Sequence, residues 1–417
     1  MTPPIIGQRY LQIRKQTEFI CEPLIPEDYV VQPILDVSPP KWHLAHTTWF
    51  FENFLLVPYL KDYKVCNSEY NYLFNSYYET VGERVLRPNR GNLTRPGVEE
   101  VYKYRAYVDQ FMADLLDEDL EQDVLDILEI GLQHEQQHQE LLVYDIKYIL
   151  GMNPIFPVYR INTEIDSSDS KIADPSFVTL VEGIYTVGHQ GVGFCFDNEL
   201  GTHKVYVNPC RIMDRLVTNA EYLTFMEAGG YNKFQYWLAE GWDWVNQEKV
   251  QAPLHWHRVE GEWHQYELIG GLKKLNLDHP VCHVSYFEAD AYARWSGKRL
   301  PTEYEWEVAS QTTLLNSLDT ANLVNKENFG TMAQQSGNSQ MLGDVWEWTS
   351  SSYAPYPNYQ IAEGALGEYN GKFMINQMVL RGGSCATATN HIRTTYRNFF
   401  HPHLRWLFSG IRLAESI

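Results

Sequence analysis

Asp123–Leu150 reads DVLDILEIGLQHEQQHQELLVYDIKYIL, and the reading of this segment decides how the N-terminal part of the chain is built. It is the clearest helix in the sequence, with Gly151 suited to the C′ position and Pro154 just beyond. Within it lies His134-Glu135-Gln136-Gln137-His138-Gln139-Glu140. His134 and His138 are four residues apart, so their imidazoles stack on one face and can grip one metal. Glu140 is roughly 200° around the helix from His138, better placed for a structural role. HEQQH also fits H-E-x-x-H, the zinc-protease signature with Glu135 as general base. That chemistry needs a third ligand, and the following QELLVYDIKY lacks the x-x-G-x-x-H continuation that would bring it. The protease reading is therefore set aside.

A third imidazole stands upstream, in KWHLAHTTWFFEN (41–53). His46 has Trp42 four residues before it, Trp49 three after and Phe50 four after, so it projects from the apolar, core-facing stripe. His43 shares that general side. A lone histidine here would be a core group satisfied by hydrogen bonds. Facing an i, i+4 pair, it becomes a ligand, and three neutral histidines leave coordination positions open for substrate or oxygen. The identity of the metal does not follow from spacing.

Outward from these motifs, helical texture covers 1–155. A first helix is expected from about Ile5 to Cys21. A second follows Pro39-Pro40 and runs to Pro58. A third follows Pro96-Gly97 and carries Val101, Tyr104, Val108, Phe111, Met112 and Leu115 at helical spacing. With one long connection near 61–95, this is a four-helix, up-and-down bundle. Residues 161–175 (INTEIDSSDSKIADP) are polar, and a linker is placed at 156–176. From 177 to 417 short β-like runs (FVTLVEGIYTVG, HKVYVNPCRIM, MVLRGGS, SGIRLA) alternate with turn residues. Two helical patches stand near Asn219–Ala228 and Tyr286–Ser296. The chain is thus multidomain: an α bundle, then an irregular α+β domain.

Composition agrees. At 417 residues two domains are expected, and 44% hydrophobic with 14% aromatic residues is ample for packed cores. The net charge of −20, from 33 basic and 53 acidic residues, makes nucleic acid or an anionic membrane a poor partner. The six cysteines are scattered without a C-x-x-C pair, which reads as reduced thiols. With no leader-like or membrane-spanning run, a cytoplasmic protein is expected.

The sequence also resembles a known family. HLAHTTWFFEN followed by HEQQHQE is similar to the metal-binding bundle of the DinB type. FDNELGTHKVYV, VTNAEYLTFMEAGGY, HPVCHVSYFEADAYARWSGKRLPTEYEWEVA, LGDVWEWTSSSY and VLRGGS resemble the formylglycine-generating-enzyme domain, a C-type-lectin-like fold. The two in this order resemble the ergothioneine-pathway sulfoxide synthases (EgtB). The resemblance implies a non-haem iron(II) enzyme, Fe(2+) being held by His46, His134 and His138. It would join the sulfur of cysteine, or of γ-glutamylcysteine, to C2 of the hercynine imidazole, using O₂, with the pocket closed between domains. Formylglycine generation itself is not expected, because Cys385 in RGGSCATATNHIR lacks the close partner cysteine that chemistry needs. The alternatives are the same chemistry on unmethylated histidine, or a DinB-type thiol S-transferase.

Further candidates lie in SYYETVGERVLRPNRG. Tyr77 and Tyr78 are adjacent, so their side chains are expected to diverge, with one facing the metal. A phenol, with a pKa of about 10, is a suitable hydrogen donor to oxygen being reduced. The resemblance implies a catalytic tyrosine pair at this position in one branch of the family. In another branch the tyrosine comes from a Tyr-x-x-Tyr stretch, for which ALGEYNGKF offers Tyr369 but has Leu366 three residues earlier. Arg87 and Arg90 can hold a carboxylate bidentately, and the resemblance places an arginine at the Arg87 position on the sulfur donor. Gln137, between the helix ligands, is a candidate partner for a metal-bound imidazole. TTYRNFFHPHLRW resembles the family's Asn-Trp segment at Asn398-Phe399, with Phe399 in place of Trp and Phe400 next to it; aromatic faces and an amide suit a trimethylammonium group. Where users of γ-glutamylcysteine carry Asp and, four beyond, Arg, this chain has Phe400 and Leu404, which favours free cysteine.

Overall fold

The computed structural model describes residues 3–78, 81–161, 172–314, 317–335, 338–361, 367 and 370–417. Two compact units divide between Tyr159 and Arg160. Much of the linker read at 156–176, and Tyr369, lie outside the described residues. No helix among those described is long and apolar enough to cross a membrane.

The N-terminal unit is built on four long helices: α1 (Pro3–Cys21), α2 (Pro40–Phe51), α3 (Val98–Leu116) and α4 (Gln122–Gly151). α2 begins with proline at its first position, where the missing N–H costs nothing. Every residue from Pro40 to Phe51 is buried, so α2 is the central helix. It continues through a π-helical turn, Glu52–Leu56, into a last turn at Val57–Tyr59. Tyr63 Oη, Tyr104 Oη and the Cys66 N–H all donate to the Glu52 carboxylate, at 2.7, 2.6 and 2.9 Å, which anchors that turn. At α3, the Gly97 N–H donates to Glu100, the returning half of a capping box. Gly151 is not a left-handed cap as expected. It is the last helical residue, and the helix runs out through Met152 in right-handed geometry (φ −89°), so no positive φ is needed.

A buried charge knot ties the four helices together. Glu135, on α4, is fully buried and accepts from Thr17 Oγ1 at 2.6 Å, Arg105 Nη2 at 2.5 Å and Arg14 Nη1 at 3.0 Å. Arg14 also donates to Asp109 on α3 at 2.7 Å and to Thr48 on α2 at 3.0 Å. Burial alone would raise the Glu135 pKa, but Arg105 and Arg14 outweigh it and hold the carboxyl at about 2. Glu135 is therefore an anion committed to two guanidiniums, which removes it as the base of a protease. One turn away, Gly131 lets α2 and α4 approach closely. A Cβ there would meet Phe51 Cε1 at 2.8 Å and Phe50 Cε1 at 2.9 Å.

The C-terminal unit is made of short sheets. Asn398–Phe400, Met378–Arg381, Trp346–Ser352 and Ser409–Gly410 form a four-stranded sheet in that order. Its first three strands are antiparallel and the last is parallel. Phe177–Leu180, Cys210–Met213 and Ala414–Ser416 make a three-stranded antiparallel sheet. All the β-like runs read from the sequence supply strands, and the helices Asn219–Glu227 and Tyr286–Trp295 fall where expected. The meander Trp256–Val259, Glu262–Glu267, Gly271–Lys274 and the helices Ala239–Glu248 and Glu303–Thr312 were not foreseen. Glu303–Thr312 carried a readable signal, since Thr302 and Glu305 form a capping box as Thr218/Glu221 and Ser285/Glu288 do. At the centre, Arg412 is bidentate on Glu347 at 2.7 and 2.8 Å, and Trp306 Nε1 donates to the same carboxylate at 2.7 Å. The six cysteines are free thiols.

Glu135→Gln tests the knot. It leaves two buried guanidiniums short of one negative charge and should destabilise the metal-free protein by about 3–5 kcal/mol in urea unfolding. Because the folded pKa lies below the ordinary 4.5, this stabilisation is present above about pH 4.5 and lost as pH falls towards 2. A loss under about 1 kcal/mol would show that the knot does not fix the bundle.

Candidate metal centre

His46 from α2 and His134 and His138 from α4 offer one nitrogen each, all within 4.8 Å of one another, and all three side chains are buried. The rings meet edge-to-face, with centroids 4.9, 4.7 and 4.6 Å apart. His46 Nε2 lies 3.2 Å from His134 Nε2. Two nitrogens bound to one ion at about 2.1 Å would stand roughly 3.0 Å apart at 90° and 3.4 Å at the tetrahedral angle. The observed spacing falls between these. Burial drives the pKa of His134 down to about 3, and those of His46 and His138 well below the ordinary value. All three are neutral at physiological pH, the form that ligates a metal.

Neighbouring groups orient the ligands. His46 Nδ1 lies 2.6 Å from the Phe74 carbonyl, so it donates there and turns Nε2 inward. Its ring is sandwiched by Trp42, 4.4 Å away and 15° from parallel, and Trp49, 5.5 Å away at the same angle. This is the helical spacing read from the sequence. His138 Nδ1 is 2.8 Å from His43 Nδ1, and His43 Nε2 is 2.8 Å from Asp145 Oδ2. His43 was legible as a residue on the same side. Asp145 was not, although its seven-residue spacing from His138 on α4 was there to be read.

The loop places its candidates unequally. Tyr77 and Tyr78 do not diverge: their rings stack with centroids 5.1 Å apart. The chain is not extended at this point, since the Asn75 side chain ties back the Tyr78 backbone. Tyr78 is fully buried and packs on Trp49 at 5.6 Å, one ring removed from His46, whereas Tyr77 is half-buried. Arg87 is exposed and donates to the Asp36 carbonyl at 2.5 Å. Arg90 is the arginine brought to the cluster: it is buried, and its guanidinium carbon lies 3.4 Å from the Trp42 ring centre. It donates to Ser38 Oγ at 2.9 Å and Ser76 Oγ at 3.0 Å. Among the described residues no carboxylate lies within ion-pair distance of it, and burial, with Arg87 nearby, pushes its pKa down. Gln137 is half-buried. Glu140 accepts from Tyr144 and takes a structural role.

In the C-terminal unit, Asn398–Phe400 forms a strand paired with Met378–Arg381. Phe399 stacks on Tyr353 at 4.0 Å and 9°, so one face of its ring is already covered. Phe400 packs edge-on against Trp406 at 5.1 Å, and Asn398 Oδ1 accepts the Phe399 N–H at 2.9 Å.

The helical bundle with its three-histidine centre, joined to this sheet-rich unit, defines a two-part chain. The DinB superfamily model matches residues 9–142, and the sulfatase-modifying factor enzyme 1-like domain matches 163–334 and 327–417. The hercynine oxygenase of Mycolicibacterium thermoresistibile is 32% identical, over 79% of this chain and 82% of that protein. That of Mycolicibacterium smegmatis is 31% identical, over 91% and 92%. The formylglycine-generating enzyme of Streptomyces coelicolor is 29% identical over 50% of this chain and 77% of that protein. The chain belongs to the hercynine oxygenase family.

Single alanine replacements of His46, His134 and His138 should each abolish stoichiometric metal, read by elemental analysis of folded, anaerobically loaded protein. Full metal content in His46→Ala would break the three-ligand assignment.

Proposed function

We propose that this protein is an iron(II)-dependent sulfoxide synthase that couples hercynine to cysteine with O₂. The carrying observation is the buried cluster of three neutral imidazole nitrogens, in a chain of the hercynine oxygenase family. The overall change balances without an added reductant. Hercynine loses its C2 hydrogen, cysteine loses its thiol hydrogen, a C–S bond forms, one oxygen atom goes to sulfur and the other leaves as water. His46, His134 and His138 would hold the iron, which would supply redox chemistry at this site.

The chain's own residues do the rest. Arg90, a buried cation with no carboxylate partner among the described residues, takes a substrate carboxylate. The cost of keeping that charge dry is then offset by the ligand. Its seat on Trp42 brings the anion site next to His46. Tyr78, stacked on Tyr77 and packed on Trp49, supplies a hydrogen to oxygen as it is reduced. Phe400 and Leu404 stand where users of γ-glutamylcysteine carry Asp and Arg, which supports cysteine as the sulfur donor.

In an O₂-uptake assay, hercynine plus cysteine should yield the sulfoxide at one O₂ per turnover. In competition, cysteine should be preferred over γ-glutamylcysteine by at least about tenfold, equivalent to ~1.4 kcal/mol. No sulfoxide from either thiol would sink the reading of the activity. An equal or reversed preference would sink only that of the donor.

Tyr78→Phe removes one oxygen atom and keeps the ring. The ratio of sulfoxide to cysteine sulfinic acid should fall, hercynine should be left unconsumed, and metal content should hold. An unchanged ratio in Tyr77→Phe, Tyr78→Phe and the double variant would move the hydrogen source elsewhere.

A further inference from the structure

His43 is a buried histidine that the reaction above does not use, held between a metal ligand and a carboxylate. Its Nδ1 lies 2.8 Å from His138 Nδ1, and its Nε2 lies 2.8 Å from Asp145 Oδ2. Asp145 Oδ2 also accepts the Ser38 N–H at 2.9 Å. All three side chains are 8% exposed or less, so water does not compete for these bonds.

The two contacts of His43 fix where the protons sit. Only one hydrogen occupies the Nδ1···Nδ1 contact. If His43 gives it, a neutral His43 has a bare Nε2 that faces a carboxylate oxygen at 2.8 Å, lone pair against lone pair. His138 would then carry its own proton on Nε2 and could not ligate. If His138 gives it, His43 keeps its proton on Nε2 and donates it to Asp145. Every donor then meets an acceptor, and His138 Nε2 is left bare. We infer that Asp145 and His43 form a hydrogen-bond relay that sets the tautomer of His138 and aims its Nε2 at the metal before the metal arrives. The inference rests on the reading of His138 as a ligand. His43 and Asp145 are positioning residues, acting on the metal through His138.

The relay reaches further. The Ser38 segment that Asp145 holds by its N–H accepts, through its hydroxyl, the Arg90 guanidinium at 2.9 Å. One carboxylate thus positions a ligand on one side and the seat of the substrate-facing arginine on the other.

The wild-type protein tests this directly. In the metal-free state, long-range ¹H–¹⁵N NMR of the histidine side chains should show His138 protonated on Nδ1 and His43 on Nε2. The opposite assignment for either ring overturns the relay, whatever metal the site prefers. Zinc titration then measures the consequence. His43→Leu should weaken zinc binding by about 10–100-fold. His43→Gln, whose carbonyl can accept from His138 and whose amide can donate to Asp145, should recover most of that loss. Equal weakening in both, or none in either, overturns the relay. Failure of the three-histidine reading is separate: it shows as full metal content in the His46, His134 or His138 alanine proteins.

Discussion

Glu135 and the two arginines that grip it are the constraint on which the metal centre depends. A helix of thirty residues with histidines on it can rotate about its own axis and slide along its neighbours. A buried anion that must meet Arg14 from α1 and Arg105 from α3 removes both freedoms. Once Glu135 points into that knot, His134 and His138 can only point where α2 presents His46. The knot is costly to assemble, since three charges leave water. It is stable only because every charge is met by another, the remaining guanidinium donors find Thr47, Thr48 and the Arg14 carbonyl, and Thr17 donates to Glu135. Electrostatic commitment thus sets the register, and dense aromatic packing fills the space around it.

The same logic separates two groups that look alike in sequence. Arg14 and Arg105 are buried and fully paired. Arg90 is buried on an indole face with two hydroxyl acceptors and no carboxylate among the described residues. The first pair holds the fold, and the third is left wanting an anion. Glu135 and Asp145 divide in parallel: one is consumed by the arginines, the other faces a histidine that faces a ligand. These two acids of α4 thus sit on different partners, one on arginines and the other on a histidine.

The C-terminal unit shows how a C-type-lectin-like frame is held without long strands. Its strands are seven residues or fewer, too short to be stable alone, and its helices are secured by side-chain caps. The Arg412–Glu347–Trp306 contact gives this unit its own buried charge pair. The frame is shared with formylglycine-generating enzymes, and Cys385, after the Met378–Arg381 strand, is a buried free thiol.

What the sequence determined by itself was whatever depends on local periodicity. The four helices, the i, i+4 histidine pair, and the aromatic stripe that sandwiches His46 all repeat with the pitch of a helix, so spacing alone revealed them. The strands of the four β-like runs were marked by their turn residues, those of the meander at 256–274 were not, and the missed helix Glu303–Thr312 had its Thr302/Glu305 box in plain view. What only the tertiary structure decided was which long side chains meet. Arg90 rather than Arg87 reaches the cluster because the Arg87–Asn92 turn buries one and exposes the other. Tyr77 and Tyr78 stack because Asn75 folds the chain back on itself. His43 meets Asp145 and His138 only after α2 has docked on α4, a docking that Gly131 permits by having no side chain. The His43 contacts join residues about a hundred positions apart, and no local pattern encodes any of these meetings, because their geometry is fixed by packing and buried charge rather than by the pitch of any single helix.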